Sequence, residues 1–412
     1  MTRSRRYSQG ACWPLVLVLA GAGCSSFRPR PAPKDLAELL EPIRAEHHLP
    51  ALVAAVVQGD RLIALGAVGR RRADAPDPAT VNDRFHLGSC TKAMTATLLA
   101  MLVEEGRLSW RQTIGETFPE LKDRIRSEFR AVTLAQLVRH RGGLPEDRVP
   151  DELFFRIRRE LHGPMIGQRL KLTEWALSRP PAAPPGEKML YSNHGYVIAA
   201  AMAERATGKS WEELVGKRLF EPLKMTTAGF GPPGLPGRTD QPLGHERAGD
   251  SARPVEIGPE ADNPPCYGPA GTVHASPADW GRYLSFYLEG LNGKSRLLKA
   301  EAFAALCVPA LDAGGLPALA PAQVLADLRA GTLPASPLPE GYAAGWLVSR
   351  QPDLGPVLSH AGSNGLWFAL ARVAPRRDFA VLAATNIGDP AARQACEQAA
   401  AALMDLAAKQ PP

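Results

Sequence analysis

The 412-residue chain has little cysteine and few aromatic residues: it contains 6 Cys, and Phe, Trp and Tyr together make up 6% of it. Six cysteines in a chain of this length are too few for a disulfide scaffold, and no two of them form the CxxC pair found in zinc and redox sites. We therefore expect the cysteines beyond the N-terminal region to be free thiols, namely Cys90, Cys266, Cys307 and Cys396.

Several short motifs of common enzyme classes are also missing. The sequence contains no HExxH or HxHxD run, no G-x-S-x-G elbow and no glycine-rich phosphate loop. These absences disfavour a zinc hydrolase, an α/β-hydrolase and a nucleotide-binding enzyme. We expect the protein to use neither a metal nor another cofactor.

The N-terminal region lacks an apolar run long enough to span a bilayer, which takes about 20 residues. Its apolar run, residues 13–20, is much shorter; it follows Arg3, Arg5 and Arg6 and precedes small residues. A basic start, a short apolar core and small residues are typical of a secretory signal peptide. We expect residues 1–23 to be that signal peptide and the protein to be exported to the bacterial cell envelope.

The sequence Gly21-Ala22-Gly23-Cys24 resembles the lipidation box of bacterial lipoproteins, in which the cysteine is lipidated and becomes the new N-terminus. Gly21 departs from that box, which usually has an aliphatic residue three places before the cysteine. We expect lipidation at Cys24, with plain secretion as the alternative, and a Pro- and Arg-rich tether over residues 24–34. The protein would then be a periplasmic-side lipoprotein that contacts the membrane through its lipid anchor only.

The formal net charge of +6 is confined to this N-terminal region. Residues 1–34 contain six basic residues and no acidic residue, whereas 42 basic residues face 42 acidic residues from Asp35 onward. Nucleic-acid binding requires a basic patch on the folded part of a protein. We therefore expect no nucleic-acid partner.

Strand patterns occur at both ends of the remaining chain. Two apolar runs at 51–57 and 61–69 flank a turn signal and predict a hairpin, and three further strands are predicted at 343–349, 366–374 and 379–385. Helical spacing and capping residues predict helices at 35–48, 91–106, 134–139, 195–207, 211–220, 277–289 and 391–408.

This order predicts one domain over residues 35–409 in the α/β (α+β) class. An antiparallel sheet built from both termini would be flanked by helices, with a sheet lobe of about 35–106 and 300–409. A mostly helical lobe of about 107–299 would be inserted between its two parts. The Pro-, Ala- and Gly-rich segment 309–341 predicts a surface excursion around one short helix.

Ser89 and Lys92 form the one S-x-x-K of the sequence, at the point where a loop enters the predicted helix 91–106. A spacing of three places both side chains on one helix face, about 5–6 Å apart at Cβ. A serine hydroxyl becomes a good nucleophile only when a base takes its proton, and the N–H groups at a helix start can stabilise an oxyanion. The alternative is an N-cap serine beside a solvated lysine.

Tyr191 and Asn193 form the one Y-x-N of the sequence. A tyrosine hydroxyl that faces a lysine can relay a proton, and a nearby asparagine can orient that lysine and bind a substrate amide. The alternative is a loop tyrosine followed by a turn asparagine.

His360 and Gly362 form an H-x-G just before the predicted strand 366–374, where a small residue lets a substrate approach the backbone. Another H-x-G begins at His140. Only His360-x-Gly362 adjoins a C-terminal strand, so we expect His140 to have a structural role in which it bonds loop carbonyls.

Together, Ser89-x-x-Lys92, Tyr191-x-Asn193 and His360-x-Gly362 resemble the motifs of the serine β-lactamase and penicillin-binding-protein superfamily. The tyrosine points to its class C branch. Flanking segments such as RFHLGSCTKAMTATLLAMLVEEGRL and HAGSNGLWFALARVAPRRDFAVLAATN also resemble blocks of that family. They follow the family order over most of residues 40–390.

The resemblance implies that Ser89 attacks a carbonyl carbon and becomes acylated. Lys92 and Tyr191 would share the proton transfers, with Tyr191 also serving the leaving group and the deacylating water. Asn193 would bind the substrate amide.

The resemblance also implies an oxyanion hole formed by the backbone N–H groups of Ser89 and Ser363, with His360 and Gly362 as substrate-binding residues. His360 stands where typical class C β-lactamases have a lysine. An imidazole binds a substrate carboxylate more weakly than a fixed ammonium does. This departure argues against efficient β-lactam turnover and favours a peptidase, esterase or amidase.

The sequence therefore predicts an exported serine hydrolase that cleaves an ester or an amide through an acyl-enzyme. We expect a monomer that acts on a small molecule or a peptide, with peptidoglycan-derived D-amino-acid peptides as one candidate. The alternative is a non-catalytic envelope lipoprotein that binds peptidoglycan or a partner through the same fold.

Overall fold

The structure, a computed structural model, describes residues 33–145, 151–295, 297–309, 318–329 and 340–408. The predicted signal peptide, the lipidation site at Cys24 and nearly all of the predicted tether lie outside the described residues. So does much of the predicted excursion 309–341. In the part that is described, no helix is both long enough and apolar enough to cross a bilayer.

Strands lie near both ends of the chain, with shorter ones in its middle. Their bounds are Lys34–Asp35 (β1), Ala51–Gln58 (β2), Arg61–Gly69 (β3), Phe85–His86 (β4), Gly229–Phe230 (β5), His245–Ala248 (β6), Ser251–Pro254 (β7), Val273–Ala275 (β8), Gly341–Tyr342 (β9), Leu347–Gln351 (β10), Gly355–Ser363 (β11), Phe368–Ala374 (β12) and Phe379–Thr385 (β13).

Helices fill most of the chain between them. Their bounds are Ala37–Glu46 (α1), Thr91–Glu104 (α2), Ile114–Thr117 (α3), Leu134–Leu137 (α4), Asp151–Glu160 (α5), Met165–Leu177 (α6), Asn193–Thr207 (α7), Trp211–Val215 (α8), Gly268–Gly271 (α9), Pro277–Leu291 (α10), Ala300–Leu306 (α11), Pro321–Arg329 (α12) and Pro390–Ala408 (α13).

The central sheet joins the two ends of the chain, in the order β1-β3-β2-β13-β12-β11-β10-β9. Strand β2 pairs antiparallel with β13, from Leu52 opposite Thr385 to Gln58 opposite Phe379. The other neighbours are also antiparallel except the short pair β1–β3, which is parallel. The predicted fold, a sheet from both termini with a helical region inserted, is confirmed.

Both faces of this sheet are buried, which explains why β2 and β13 are apolar at nearly every position. Alternate residues of a strand point to opposite faces. Val53 and Val57 belong to the core under α10, whereas Leu52 and Val56 belong to a second core under α1 and α13.

Capping residues fix two of the predicted helices. Ser276 accepts the Asp279 N–H at the start of α10, and Asp389 accepts the Ala392 N–H at 2.7 Å at the start of α13. The short helix predicted within 309–341 is α12. The four cysteines expected to be free thiols are free and buried.

One strand that matters for the site was missed. The residues from His360 to Ser363 were expected just before a strand, but they form the end of β11. This strand begins with Gly355-Pro356, and its polar residues are Ser359, His360 and Ser363. It therefore lacks the apolar pattern from which strands are recognised. The middle region was expected to be helix and loop, but it also contains the small sheet β4-β8-β5 and the hairpin β6–β7.

Candidate active site

Ser89 lies in the short helical turn Gly88–Cys90 that leads into α2. Helix α2 is apolar on all sides and buried from Thr91 to Leu102, as expected of a helix that passes through the core. Ser89 itself is half-buried at its N-terminal end. The N–H groups at the start of a helix have no acceptor within that helix, so they are available to a substrate oxygen.

Lys92 lies one helical turn after Ser89 and is fully buried. Its Nζ lies 2.9 Å from Ser89 Oγ, and it donates hydrogen bonds to Asn193 Oδ1 at 2.6 Å and to the Ala270 carbonyl at 2.7 Å. Two oxygens that can only accept thus hold two of the Nζ hydrogens. The hydroxyl of Ser89 can both donate and accept, so a proton can pass either way between Ser89 Oγ and Lys92 Nζ.

Tyr191 and Asn193 reach the same place from the start of α7. Lys92 Nζ lies 4.9 Å from the centre of the Tyr191 ring. The ring also packs against His140, with ring centres 4.2 Å apart, and it meets Tyr342 edge-to-face. The structure therefore brings the first two motifs together, although they are a hundred residues apart in sequence.

His140 has a different structural role from the one expected. Its ring does not bond a loop carbonyl; its Nδ1 accepts the backbone N–H of Ser192 at 3.1 Å, and the ring is buried beside Tyr191. Burial, together with nearby Lys92, holds the pKa of His140 well below its ordinary value, so the ring is neutral. The stretch of sequence around it carried no signal that it would pack against the tyrosine.

His360 is a buried, neutral imidazole. Its Nδ1 donates a 2.6 Å hydrogen bond to the Gly345 carbonyl. Burial, with a contribution from nearby Lys92, lowers the pKa of His360 to about 3. The ring therefore has no positive charge at neutral pH, and it offers a hydrogen-bonding atom rather than an ion pair.

Gly362 brings the end of β11 against the nucleophile. A Cβ at this position would lie 2.2 Å from the Leu87 carbonyl oxygen and 2.4 Å from the Ser89 backbone nitrogen. On the other side, a Cβ at Gly88 would lie 2.5 Å from the Ser363 backbone nitrogen. Neither position has room for a side chain, and this contact places the backbone nitrogens of Ser89 and Ser363 next to each other. Gly362 was expected to leave room for the substrate. In the structure, its missing side chain leaves room for the turn that carries Ser89.

Two residues near this contact were not recognised in the sequence. His86 and Asp262 form a buried hydrogen-bonded pair, with Nε2 and Oδ2 2.9 Å apart. His86 lies three residues before Ser89, and this spacing is the one signal that points to it. Asp262 lies 176 residues from His86 in the sequence, and no sequence signal pointed to it.

A cavity of about 440 Å³ lies beside the His86–Asp262 pair, with Asp262 in its wall. Phe230 and Pro232 supply apolar walls, and Asn263 and Thr272 supply polar groups. The residue before Thr272 is Gly271, where a Cβ would lie 3.5 Å from the carbonyl carbon of Gly88. Among the described residues, no group of three or more His, Cys, Asp or Glu side chains is placed to hold a metal.

The chain is similar to several known proteins. The chain is 26% identical over 355 residues to penicillin-binding protein 4 of Amycolatopsis lactamdurans, covering 85% of this chain and 84% of that one. It is 19% identical to protein flp of Staphylococcus aureus, of which it spans about 60%. An octameric penicillin-binding-protein homologue from Pyrococcus abyssi has a similar structure, with a TM-score of 0.69, 21% identity and coverage of 90% of this chain and 77% of that one.

A D-stereospecific amidohydrolase from a Streptomyces species also shares the fold, with a TM-score of 0.63, 22% identity and coverage of 88% of this chain and 96% of that one. A model of the beta-lactamase family matches residues 36–404, nearly the whole folded part. With the sheet from both termini and the three motifs side by side, this match shows that the chain belongs to the beta-lactamase family of serine hydrolases.

Proposed function

We propose that the protein hydrolyses an ester or an amide through an acyl-enzyme on Ser89. The observation that carries this proposal is the 2.9 Å contact between Lys92 Nζ and Ser89 Oγ, with Nζ held in place by Asn193 and Ala270. Lys92 takes the proton as Ser89 Oγ attacks the carbonyl carbon. The tetrahedral intermediate then expels the leaving group, which takes up a proton.

Tyr191 is the second proton carrier in this proposal. Its ring lies beside Lys92 Nζ, so a proton taken from Ser89 can pass toward the leaving group on that side. Water then attacks the ester on Ser89, gives up a proton by the same route and releases the acid. The backbone N–H groups of Ser89 and Ser363 stabilise the negative oxygen in both steps.

The neutral ring of His360 favours esters and D-amino-acid amides over β-lactams as good substrates. A class C-type clamp on the substrate carboxylate needs a positive charge, and the pKa of His360, about 3, removes that charge at neutral pH. The likeness to a D-stereospecific amidohydrolase and to penicillin-binding proteins supports the same choice. We include peptidoglycan-derived D-amino-acid peptides in this substrate class.

The basic start, short apolar run and box before Cys24 support export as a lipoprotein held at the cell envelope by its lipid alone. Growth with an alkyne-tagged palmitate tests this proposal. The label is expected on the wild-type protein in the membrane fraction and absent from a Cys24→Ser variant; an unlabelled, soluble wild-type protein would contradict it.

Fluorophosphonate labelling tests the acyl-enzyme proposal directly. We expect one adduct, on Ser89, with none on Ser89→Ala. In parallel, a p-nitrophenyl ester, a D-Ala-D-Ala peptide and nitrocefin are hydrolysed side by side, and the ester or the peptide is expected to react fastest. A folded protein that neither becomes labelled nor hydrolyses any of them, yet binds peptidoglycan in a pull-down, would support the non-catalytic alternative instead.

A further inference from the structure

A series of hydrogen bonds connects the two backbone segments that carry Ser89 and Ser363. His86 precedes Ser89 by three residues, and Asn364 directly follows Ser363. Between them, Oδ2 of Asp262 accepts a hydrogen bond from His86 Nε2 at 2.9 Å, and Oδ1 accepts one from Asn364 Nδ2 at 3.0 Å. One carboxylate thus holds both segments.

The partners of His86 define its tautomer. The backbone N–H of Gly88, the residue before Ser89, donates to His86 Nδ1 at 3.1 Å, so this nitrogen carries no hydrogen. The ring hydrogen therefore lies on Nε2, where the Asp262 carboxylate accepts it. Asp262 selects the form of His86 that can hold the Gly88 peptide.

His86 is fully buried, and Asp262, which lies in the wall of the 440 Å³ cavity, is 9% exposed. Asp262 Oδ1 also accepts the backbone N–H of Asn263 at 2.7 Å, and Asn263 Nδ2 donates to the Gly271 carbonyl at 3.3 Å, beside the Gly88 peptide. In such a place a broken hydrogen bond leaves a polar group unpaired, so the arrangement holds one geometry strongly.

We propose that Asp262 and His86 are positioning residues for the oxyanion hole, which set the separation and direction of the Ser89 and Ser363 N–H groups. This role depends on the proposed function, because it takes those N–H groups as the donors to the oxyanion. Such donors act only when they are aimed at the place where the negative oxygen forms. Loss of the bridge should therefore lower kcat and leave substrate binding nearly unchanged.

Asp262→Asn is the most informative variant because it changes almost no volume. If its amide oxygen keeps the bond from Asn364, its NH₂ faces His86 Nε2, which must then accept. The ring hydrogen moves to Nδ1 and points at the Gly88 N–H. We expect kcat for a p-nitrophenyl ester to fall about 10- to 100-fold, the size of effect that a misaimed oxyanion donor produces, with KM unchanged.

Two His86 variants separate positioning from packing. In His86→Asn, the amide oxygen can still accept the Gly88 N–H, whereas His86→Ala has no acceptor. We expect the first to keep more of the wild-type kcat than the second at similar thermal stability. His245→Asn, which changes a fully buried histidine that bonds the Asn386 carbonyl and the Ala73 N–H instead, is the matched control and is expected to keep the wild-type kcat.

Nitrogen-detected NMR of the side chains adds a readout that packing alone would not move. In the wild-type protein the His86 hydrogen is expected on Nε2, and in Asp262→Asn it is expected on Nδ1. An unchanged tautomer, or a kcat within about twofold of wild type in both Asp262→Asn and His86→Ala, would overturn the positioning role while Ser89 labelling left the proposed function standing. A wild-type protein without Ser89 labelling would overturn both.

Discussion

Lys92 and Arg169 are both cationic residues with no exposed surface, but their surroundings differ. Arg169 donates to the carboxylates of Glu204 and Glu212, whereas Lys92 Nζ contacts a serine hydroxyl, an amide oxygen and a backbone carbonyl. Burial opposes the charge of Arg169, but the two carboxylates outweigh it and raise the pKa of the guanidinium. An ion held by carboxylates keeps its proton, and one beside a hydroxyl can exchange it.

Arg139 shows what burial does without carboxylates. Its guanidinium donates to the carbonyls of Val308, Ala305 and Ala135, and burial lowers the pKa of Arg139 to about 10. Neutral oxygens accept the hydrogen bonds of a buried cation, but they do not compensate for the hydration free energy that the cation loses on burial. Arg169 thus stabilises the fold through its carboxylates, whereas Lys92 contacts neutral oxygens beside Ser89.

The first prediction concerns Lys92→Met, a replacement of similar volume. Because Lys92 is the proposed base beside Ser89, we expect kcat/KM for a p-nitrophenyl ester to fall about 10³-fold or more, at the upper part of the range for a lost general base. The thermal midpoint should stay close to that of the wild type. A variant with more than a tenth of wild-type activity would refute the role of Lys92.

Arg169→Met should have the opposite profile. It leaves the buried carboxylate of Glu204 without its partner, so we expect the free energy of unfolding to drop by about 3–5 kcal/mol. The folded fraction should retain its kcat, measured at low temperature. Adding Glu204→Gln to the variant is expected to restore part of the lost stability. Loss of kcat without loss of stability would mean that Arg169 also serves the site.

Tyr191→Phe removes the hydroxyl and keeps the ring that packs against His140 and Tyr342. We expect kcat to fall about 10²-fold, the lower part of the range for acid–base catalysis, without a change in thermal midpoint. Tyr287→Phe is a matched control, since that hydroxyl is buried away from the motifs. Equal rates for wild type and Tyr191→Phe would remove Tyr191 from the mechanism.

Buried histidines make the stability of the fold depend on pH. Burial lowers the pKa of His245 and of His274 to about 4 and that of His360 to about 3. Below about pH 6.5 the unfolded chain binds protons that the folded one does not, so stability falls as pH falls from 6.5 toward 4. Each histidine contributes a slope of about 1.4 kcal/mol per pH unit there.

Urea midpoints measured between pH 4.5 and 7.5 check this dependence. His245→Gln should flatten the slope, whereas His162→Gln, a change at an exposed histidine, should leave it as it is. A flat profile for the wild-type protein would show that these rings are protonated in the fold.

Several strands of the central sheet and the three motifs could be predicted from the sequence, because each rests on local pattern. Strands β2 and β13 are apolar runs, α10 begins with a capping serine, and Ser89 and Lys92 are one helical turn apart. The prediction that these motifs come together rested on the family resemblance rather than on a physical argument. The strand carrying His360 was missed because its polar and glycine residues serve the site instead of a core.

Other parts of the site had no sequence signal. The bridge through Asp262 and the contact of His140 with Tyr191 depend on residues that come together only when the helical region folds over the sheet. The same is true of the neutral state of His360, since its pKa depends on burial that no local pattern reveals. A motif identifies the residue types of a site, but it does not give their protonation states.

The pairing of β2 with β13 has a consequence for how the protein is made. The Asn386 side chain accepts the backbone N–H of Ala51, which precedes it by 335 residues. During synthesis, β11, the strand next to the nucleophile, leaves the ribosome long after Ser89 does, so the two can meet only once that strand has emerged. Contacts of such long range form slowly, so Ser89 and Lys92 can lie together on their helix well before Ser363 joins them.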